Sequence, residues 1–273
     1  MRQDGHPYPP GQAGTAMGFD LQELARRMLA DYDARTPGQL FIGPVDFTPE
    51  QAYALQAEVA RLRERRGERV IGYKVGCTSP AVQRQLGIGA PIFARVFDTG
   101  RFPSGQPLSF SGFANLAVEG ELAVRLGRDV SAASAGGDEC RAAVASAFPV
   151  IELHHFVLRS PRPSLAELIA SGGMHAGFVL AEHEADSSLR ELESLSVWID
   201  DERVGQVSGA DVTELAVRSL GWLADRLAEE GLTLAGGQVV LTGSLLPLYT
   251  LRPGSRVVAG LSPSGRSTAA IVP

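Results

Sequence analysis

Two glutamates spaced one residue apart, and a third in a later apolar run, are the side chains of this sequence best suited to chemistry. Glu119 and Glu121 stand in Ala117-Val118-Glu119-Gly120-Glu121-Leu122-Ala123-Val124-Arg125-Leu126. An extended strand turns alternate side chains to one face, so these two carboxylates lie side by side. Alone, the pattern also describes an amphipathic strand with its glutamates in water. Glu152 adds weight because it interrupts Pro149-Val150-Ile151-Glu152-Leu153-His154-His155-Phe156, a run that otherwise reads as buried, and a buried carboxylate requires a partner. Three converging carboxylates without an arginine cluster repel unless a cation neutralises them. An all-oxygen ligand set suits a hard ion, Mg²⁺ or Mn²⁺.

Lys74 is the second kind of candidate. Of the 25 lysines and arginines it alone is a lysine, and it sits in the β-type run Val70-Ile71-Gly72-Tyr73-Lys74-Val75-Gly76. Where only positive charge is wanted arginine has served, so a residue able to lose its proton is expected here. A charge that protects a sheet edge is the structural alternative. Desolvation beside a metal would lower the lysine pKa and let it exchange protons. His154 shares the face of Glu152 and is a site candidate, whereas His155 points into packing, although a structural pair is the commoner arrangement. His175, in Gly172-Gly173-Met174-His175, stands in a glycine-bounded loop of the kind that carries functional side chains. Cys77 adjoins the lysine run without a His/Asp constellation, and reads as a small packed thiol rather than a nucleophile.

The elements that must position these residues are legible in outline. Helices are predicted over Phe19–Tyr32 and from Thr48, where Thr48-Pro49-Glu50-Gln51 makes a capping box with proline at the first helical position. After Gly67 the texture changes to short strands, predicted at Arg69–Val75, Ala117–Leu126, Val150–Phe156, Ala176–Ala181, Leu195–Ile199, Gln238–Thr242, Arg256–Gly260 and Ser267–Val272. Helices are predicted between them at Cys140–Phe148, at Ser164–Ser171 and at Val212–Glu230. Strands and helices do not alternate, and no Gly-x-Gly-x-x-Gly turn joins a strand to a helix, which disfavours a doubly wound nucleotide fold. The expected class is α+β, a mixed and mostly antiparallel sheet with peripheral helices.

With 273 residues and 44% hydrophobic content the chain can bury a full core. No apolar stretch approaches the ~20 residues that cross a bilayer. A net charge of −6 argues against nucleic acid as a partner. The arginine run at Arg61, Arg63, Arg65, Arg66 and Arg69 reads as the solvated end of a helix. Two distant cysteines suit a reducing cytoplasm. The expected organisation is a disordered extension over residues 1–17, a helical segment over 18–66 and a catalytic sheet domain over 67–273.

Four segments together carry a resemblance. Ile71-Gly72-Tyr73-Lys74-Val75-Gly76-Cys77-Thr78-Ser79, Val118-Glu119-Gly120-Glu121-Leu122-Ala123, Ile151-Glu152-Leu153 and Val240-Leu241-Thr242-Gly243-Ser244 resemble, in order and spacing, the 2-keto-4-pentenoate hydratase branch of the fumarylacetoacetate hydrolase superfamily. That resemblance implies a β-roll and a homo-oligomer. It implies Mg²⁺ or Mn²⁺ on Glu119, Glu121 and Glu152, with a small 2-oxo acid chelated by the metal. It also implies Lys74 near the metal, and the turn Thr242-Gly243-Ser244 near the substrate carboxylate, although Ser244 equally fits an ordinary strand-ending turn. The chain departs from the hydratase pattern where Pro91 is followed by Ile92 instead of an acid, with Asp98 nearby but six residues on. Related decarboxylases are apolar at that position. Hydration of a 2-hydroxy-2,4-dienoate is therefore the expected activity. Oxalocrotonate-type decarboxylation, acylpyruvate C–C hydrolysis with His154 or His175 as base, and an inactive metal-binding scaffold remain the alternatives.

Overall fold

The computed structural model describes residues 20–42, 47–132, 136–157, 163–183, 189, 192–263 and 265–273; the expected extension over residues 1–17 lies outside them. In chain order the first half holds α1 (Leu21–Asp33), α2 (Pro49–Arg65), β1 (Val70–Gly76), α3 (Pro80–Leu86), β2 (Ile92–Phe97), β3 (Arg101–Phe102), β4 (Pro107–Ser109), β5 (Leu116–Leu126) and α4 (Gly137–Ala143). The second half holds β6 (Val144–His155), α5 (Leu165–Ala170), β7 (His175–Val179), β8 (Ser194–Ile199), β9 (Glu202–Ser208), α6 (Gly209–Glu229), β10 (Val239–Leu241), β11 (Tyr249–Thr250), β12 (Arg256–Ser262) and β13 (Gly265–Val272). Among the described residues the strands form two sheets. One is eight-stranded, β2-β1-β10-β5-β6-β7-β3 with β11 also on β5; the other is five-stranded, β4-β13-β12-β8-β9. Pairing is antiparallel except at β1·β10, β3·β7 and β4·β13, which is the mixed, mostly antiparallel roll expected.

The helix starts follow their caps. Asp20 accepts from the Gln22 and Glu23 amides at the head of α1, Thr48 and Gln51 close the capping box of α2, and Ser164 accepts from Glu167 N. The helix predicted over Cys140–Phe148 is a correction: α4 ends at Ala143 and the chain continues as strand. Alanine-rich Val144–Phe148 has helical propensity, but β5 offers an unbroken ladder opposite it, pairing Val124 with Ala147 and Ala123 with Phe148. Ladder and burial outweigh local preference. The arginine run is solvated as expected at Arg61, Arg65, Arg66 and Arg69, and Arg63 is the member that turns inward. Arg63 lies 3.8 Å over the Phe97 ring and bonds buried Glu68 at 2.6 Å.

Sheet alternation sorts the core. Val118, Ile151 and Leu153 pack against Val197 and Ala259 of the second sheet, while Leu122, Val124 and Val240 join α1, α2 and α6. Ala123, Phe148, Val150 and Phe178 line the opposite, concave face, where Glu119, Glu121, Glu152 and Lys74 also point. Gly120 makes the sheet contact possible, because a Cβ there would come within 2.2 Å of Val197 Cγ2.

Candidate active site

The first large sheet curls, and the curl builds the site. β1 and β6 are three strand positions apart, about 14 Å in a flat sheet at ~4.8 Å per strand. Yet Lys74 Nζ lies 2.8 Å from Glu152 Oε1, with both side chains almost wholly buried. Glu119 and Glu152 are direct cross-strand partners, and His154 sits opposite His175. Glu152 Oε1 also accepts from His175 Nδ1 at 2.7 Å. His154 Nδ1 donates to Gly173 O at 3.3 Å, leaving Nε2 facing Glu119 Oε2 at 3.2 Å and Glu152 Oε2 at 3.7 Å. Glu121 Oε2 accepts from Gly243 N at 3.1 Å. Lys74, Glu119, Glu121, Glu152, His154 and His175 are thus gathered into one cluster. Of the three carboxylates Glu119 is the one open to solvent, its side chain 22% exposed.

Burial and charge set the protonation pattern. Burial opposes the Lys74 ammonium, but Glu152, Glu121 and Glu119 outweigh it and hold the lysine above its ordinary value. Glu152 resists burial in the same way, because Lys74, His154 and His175 drive it well below the usual carboxylate range. Glu121 behaves oppositely: burial, then the charges of Glu152 and Glu119, push it well above that range. Burial lowers His154, but Glu152 and Glu119 raise it overall. His175 is lowered, chiefly by burial. His155 lies outside this cluster. Its Nδ1 accepts from Ala114 N at 3.0 Å, its ring meets Tyr32 edge-on at 5.0 Å, and burial brings its pKa down to about 4. Burial also pushes the Cys77 thiol up to about 11, as befits a packed cysteine.

The cluster suits a hard cation. Among the described residues Glu152 Oε2, His154 Nε2 and His175 Nε2 are buried without hydrogen-bond partners, and donor atoms of Glu119, Glu152 and His154 lie within 4.8 Å of one another. In this arrangement His154 joins the two facing glutamates, and Glu121, which accepts from the Gly243 amide, lies within their field beside Glu152.

The neighbouring walls are specific. Ile92 is fully buried; a Cβ on Gly173 would meet Lys74 Nζ at 3.1 Å and Ile92 Cδ1 at 3.5 Å. The lysine therefore has an apolar residue and a bare backbone turn beside it. Asp98 does not replace the missing acid, because Arg69 occupies it through its backbone N and guanidinium. The Thr242 hydroxyl donates to Leu122 O and the Ser244 hydroxyl to Gly120 O and Leu246 O, so of that turn the Gly243 amide is what bonds the carboxylates. The role of Gly173 escaped the sequence reading; its signal was the glycine pair in the turn beside His175.

Comparison with known proteins is consistent in kind. The fumarylacetoacetate (FAA) hydrolase C-terminal family matches residues 93–272. The chain is 32% identical over 218 residues to 2-keto-4-pentenoate hydratase of Burkholderia vietnamiensis (strain G4 / LMG 22486), covering 78% of this chain and 82% of the relative. It is 27% identical to 4-oxalocrotonate decarboxylase of Pseudomonas putida, covering 83% and 87%. In fold it resembles the 4-oxalocrotonate decarboxylase of Pseudomonas putida G7 solved with magnesium and adipate, with a TM-score of 0.85, 23% identity, and 92% and 97% of the two chains covered.

Proposed function

This chain belongs to the fumarylacetoacetate hydrolase family, and from that premise we propose that it is a metal-dependent hydro-lyase converting a 2-hydroxy-2,4-dienoate to a 4-hydroxy-2-oxo acid. The observation that carries the reading is the buried Lys74–Glu152 pair among further carboxylates: a proton donor held in a water-poor cleft beside a cation-binding set. Mg²⁺ or Mn²⁺ on Glu119, Glu121 and Glu152 would act as a Lewis acid toward the 2-oxo group. Lys74 delivers a proton to C5 of the dienol and recovers the proton of the 2-hydroxyl, giving the conjugated 2-oxo-3-enoate. Water then adds its oxygen at C4 and its hydrogen at C3. His154 and His175, both ranged on Glu152, are the bases at hand to take the water proton. Gly243 holds Glu121 through its amide, and the turn Thr242-Gly243-Ser244 borders the end where the substrate carboxylate would lie.

Decarboxylation of an oxalocrotonate-type diacid is the second reading, favoured by Ile92 against the lysine. Loss of CO₂ requires a proton for the carbanion but no activated water. The test is to incubate the purified protein with Mg²⁺ and 2-hydroxypenta-2,4-dienoate and to follow dienoate absorbance. Loss of absorbance with formation of the 4-hydroxy-2-oxo acid is expected. No turnover there, with CO₂ released from the diacid, would establish the second reading instead. The protein is also taken to be cytoplasmic and homo-oligomeric, its two free thiols suiting a reducing compartment; light scattering tests the assembly.

A further inference from the structure

A cleft of about 410 Å³ lies outside the acidic cluster, between the end of α1 and the strands β3, β4 and β6. That size falls within the roughly 300–1,000 Å³ of small-molecule sites. Neither Lys74 nor any of the clustered glutamates and histidines lines it. Its apolar part is aromatic. Tyr32 meets the His155 imidazole edge-on at 5.0 Å, Phe113 lies 5.8 Å from the same imidazole, and Phe102 meets Phe113 at 6.3 Å with the rings 60° apart. Rings spaced and tilted in this way offer edges and faces to a further flat ring.

Two hydrogen-bond donors stand among these rings with capacity to spare. His155 is only 5% exposed, and its Nδ1 accepts from Ala114 N at 3.0 Å, so its proton is on Nε2. Among the described residues that Nε2 has no partner. Arg35 bonds Gly112 O through Nε at 3.1 Å and makes no ion pair among the described residues, which leaves both Nη groups for a ligand. The remaining charge in the cleft, Asp33, is paired with Arg66 at 2.7 Å. Arg35 also follows the C-cap of α1, Ala34, with φ at +59°. A helix ordinarily gives that position to glycine, so the turn itself supplies no reason for an arginine. An aromatic cleft with an unpaired cation and a buried N–H suits an anion that has a flat apolar body.

We propose that this cleft binds a small aromatic monocarboxylate, with its ring among Tyr32, Phe102 and Phe113 and its carboxylate on the Arg35 guanidinium and His155 Nε2. The site is separate from the acidic cluster, so it does not depend on which reaction that cluster performs.

Calorimetry on the full chain with Mg²⁺ present tests the cleft, with benzoate and phenylacetate set against acetate, benzyl alcohol and cyclohexanecarboxylate. Saturable binding of an aromatic acid is expected, about tenfold or more tighter than acetate or benzyl alcohol and several-fold tighter than cyclohexanecarboxylate. It should persist when Mg²⁺ is removed. Arg35→Gly, which installs the residue that the turn favours, should weaken binding about tenfold or more, and Phe113→Leu about three- to tenfold. Circular dichroism checks that both variants fold; if either does not, the other variant and the ligand series still decide. The cleft is overturned by no saturable binding of either aromatic acid, by affinity that acetate or cyclohexanecarboxylate matches, or by affinity unchanged in the folded variants. Binding that vanishes with Mg²⁺ places the acid on the metal and overturns it as well.

Discussion

Lys74 and Glu152 occupy a space that neither could enter alone, since each buried charge is compensated by the other at 2.8 Å. Removing the lysine should therefore show in the rate. Lys74→Met is expected to lower kcat by roughly 10²–10⁴-fold while leaving Mg²⁺ binding, read by calorimetry, in place. A scaffold would show no rate to lose. Gly173→Ala puts a methyl 3.1 Å from Lys74 Nζ at a φ of +65°, and should depress kcat more than it raises KM; unchanged kcat would remove the turn from the account. His155 makes a prediction about stability. Its pKa is about 4 in the fold, because of burial, against an ordinary value near 6.5. Between those values the unfolded chain binds more protons, so the stability present above pH 6.5 is lost as pH falls toward 4. The loss is about 2 kcal/mol by pH 5. In His155→Asn, whose amide oxygen can still accept from Ala114 N, urea midpoints should fall less steeply from pH 7 to pH 5 than in the parent. Parallel slopes would contradict the neutral, buried histidine.

At the scale of elements, capping and close approach do the positioning. The box at Thr48 ties down α2, which carries Val59 and Arg63, and Thr48→Ala should cost about 1 kcal/mol, read as a lower unfolding midpoint. Gly120 lies between the two glutamates of β5 and against the second sheet. Gly120→Ala should destabilise more than the cap, by about 1–3 kcal/mol, because Val197 stands 2.2 Å from the new Cβ. The spacing of Glu119 and Glu121 was legible because period-two alternation is local. The long strand β6 was legible only from Val150, since the helical preference of its first residues is overridden by a ladder with β5 that lies outside their own sequence. β2 was missed altogether, although Ile92–Phe97 forms the wall beside the lysine. Arg95 interrupts its apolar run and obscures the alternation.

At the scale of the whole molecule, the acidic cluster links folding to cation binding. Without a cation, burial and its neighbours hold Glu121 far above the usual carboxylate range; a bound ion offers the native state a second way to neutralise the site. Mg²⁺ or Mn²⁺ at a hundred times its dissociation constant should add about 2.7 kcal/mol, seen as a rise of several degrees in Tm. Glu119→Gln and Glu152→Gln should each diminish that rise, and a parent Tm indifferent to both metals would sink the metal reading. By itself the sequence determined the candidate residues, Lys74 through its singular use among arginines and the glutamates through alternation and an interrupted apolar run, together with the α+β class. Those are properties of composition and of near neighbours along the chain. Only the tertiary structure decided that β1 and β6, far apart in sheet order, meet across a curl, that Lys74 bonds Glu152 there, and that His154 joins the Glu119–Glu152 pair. Each depends on the closure of the sheet, which brings charges from distant strands into one desolvated space, where the nearest partner sets both geometry and proton affinity.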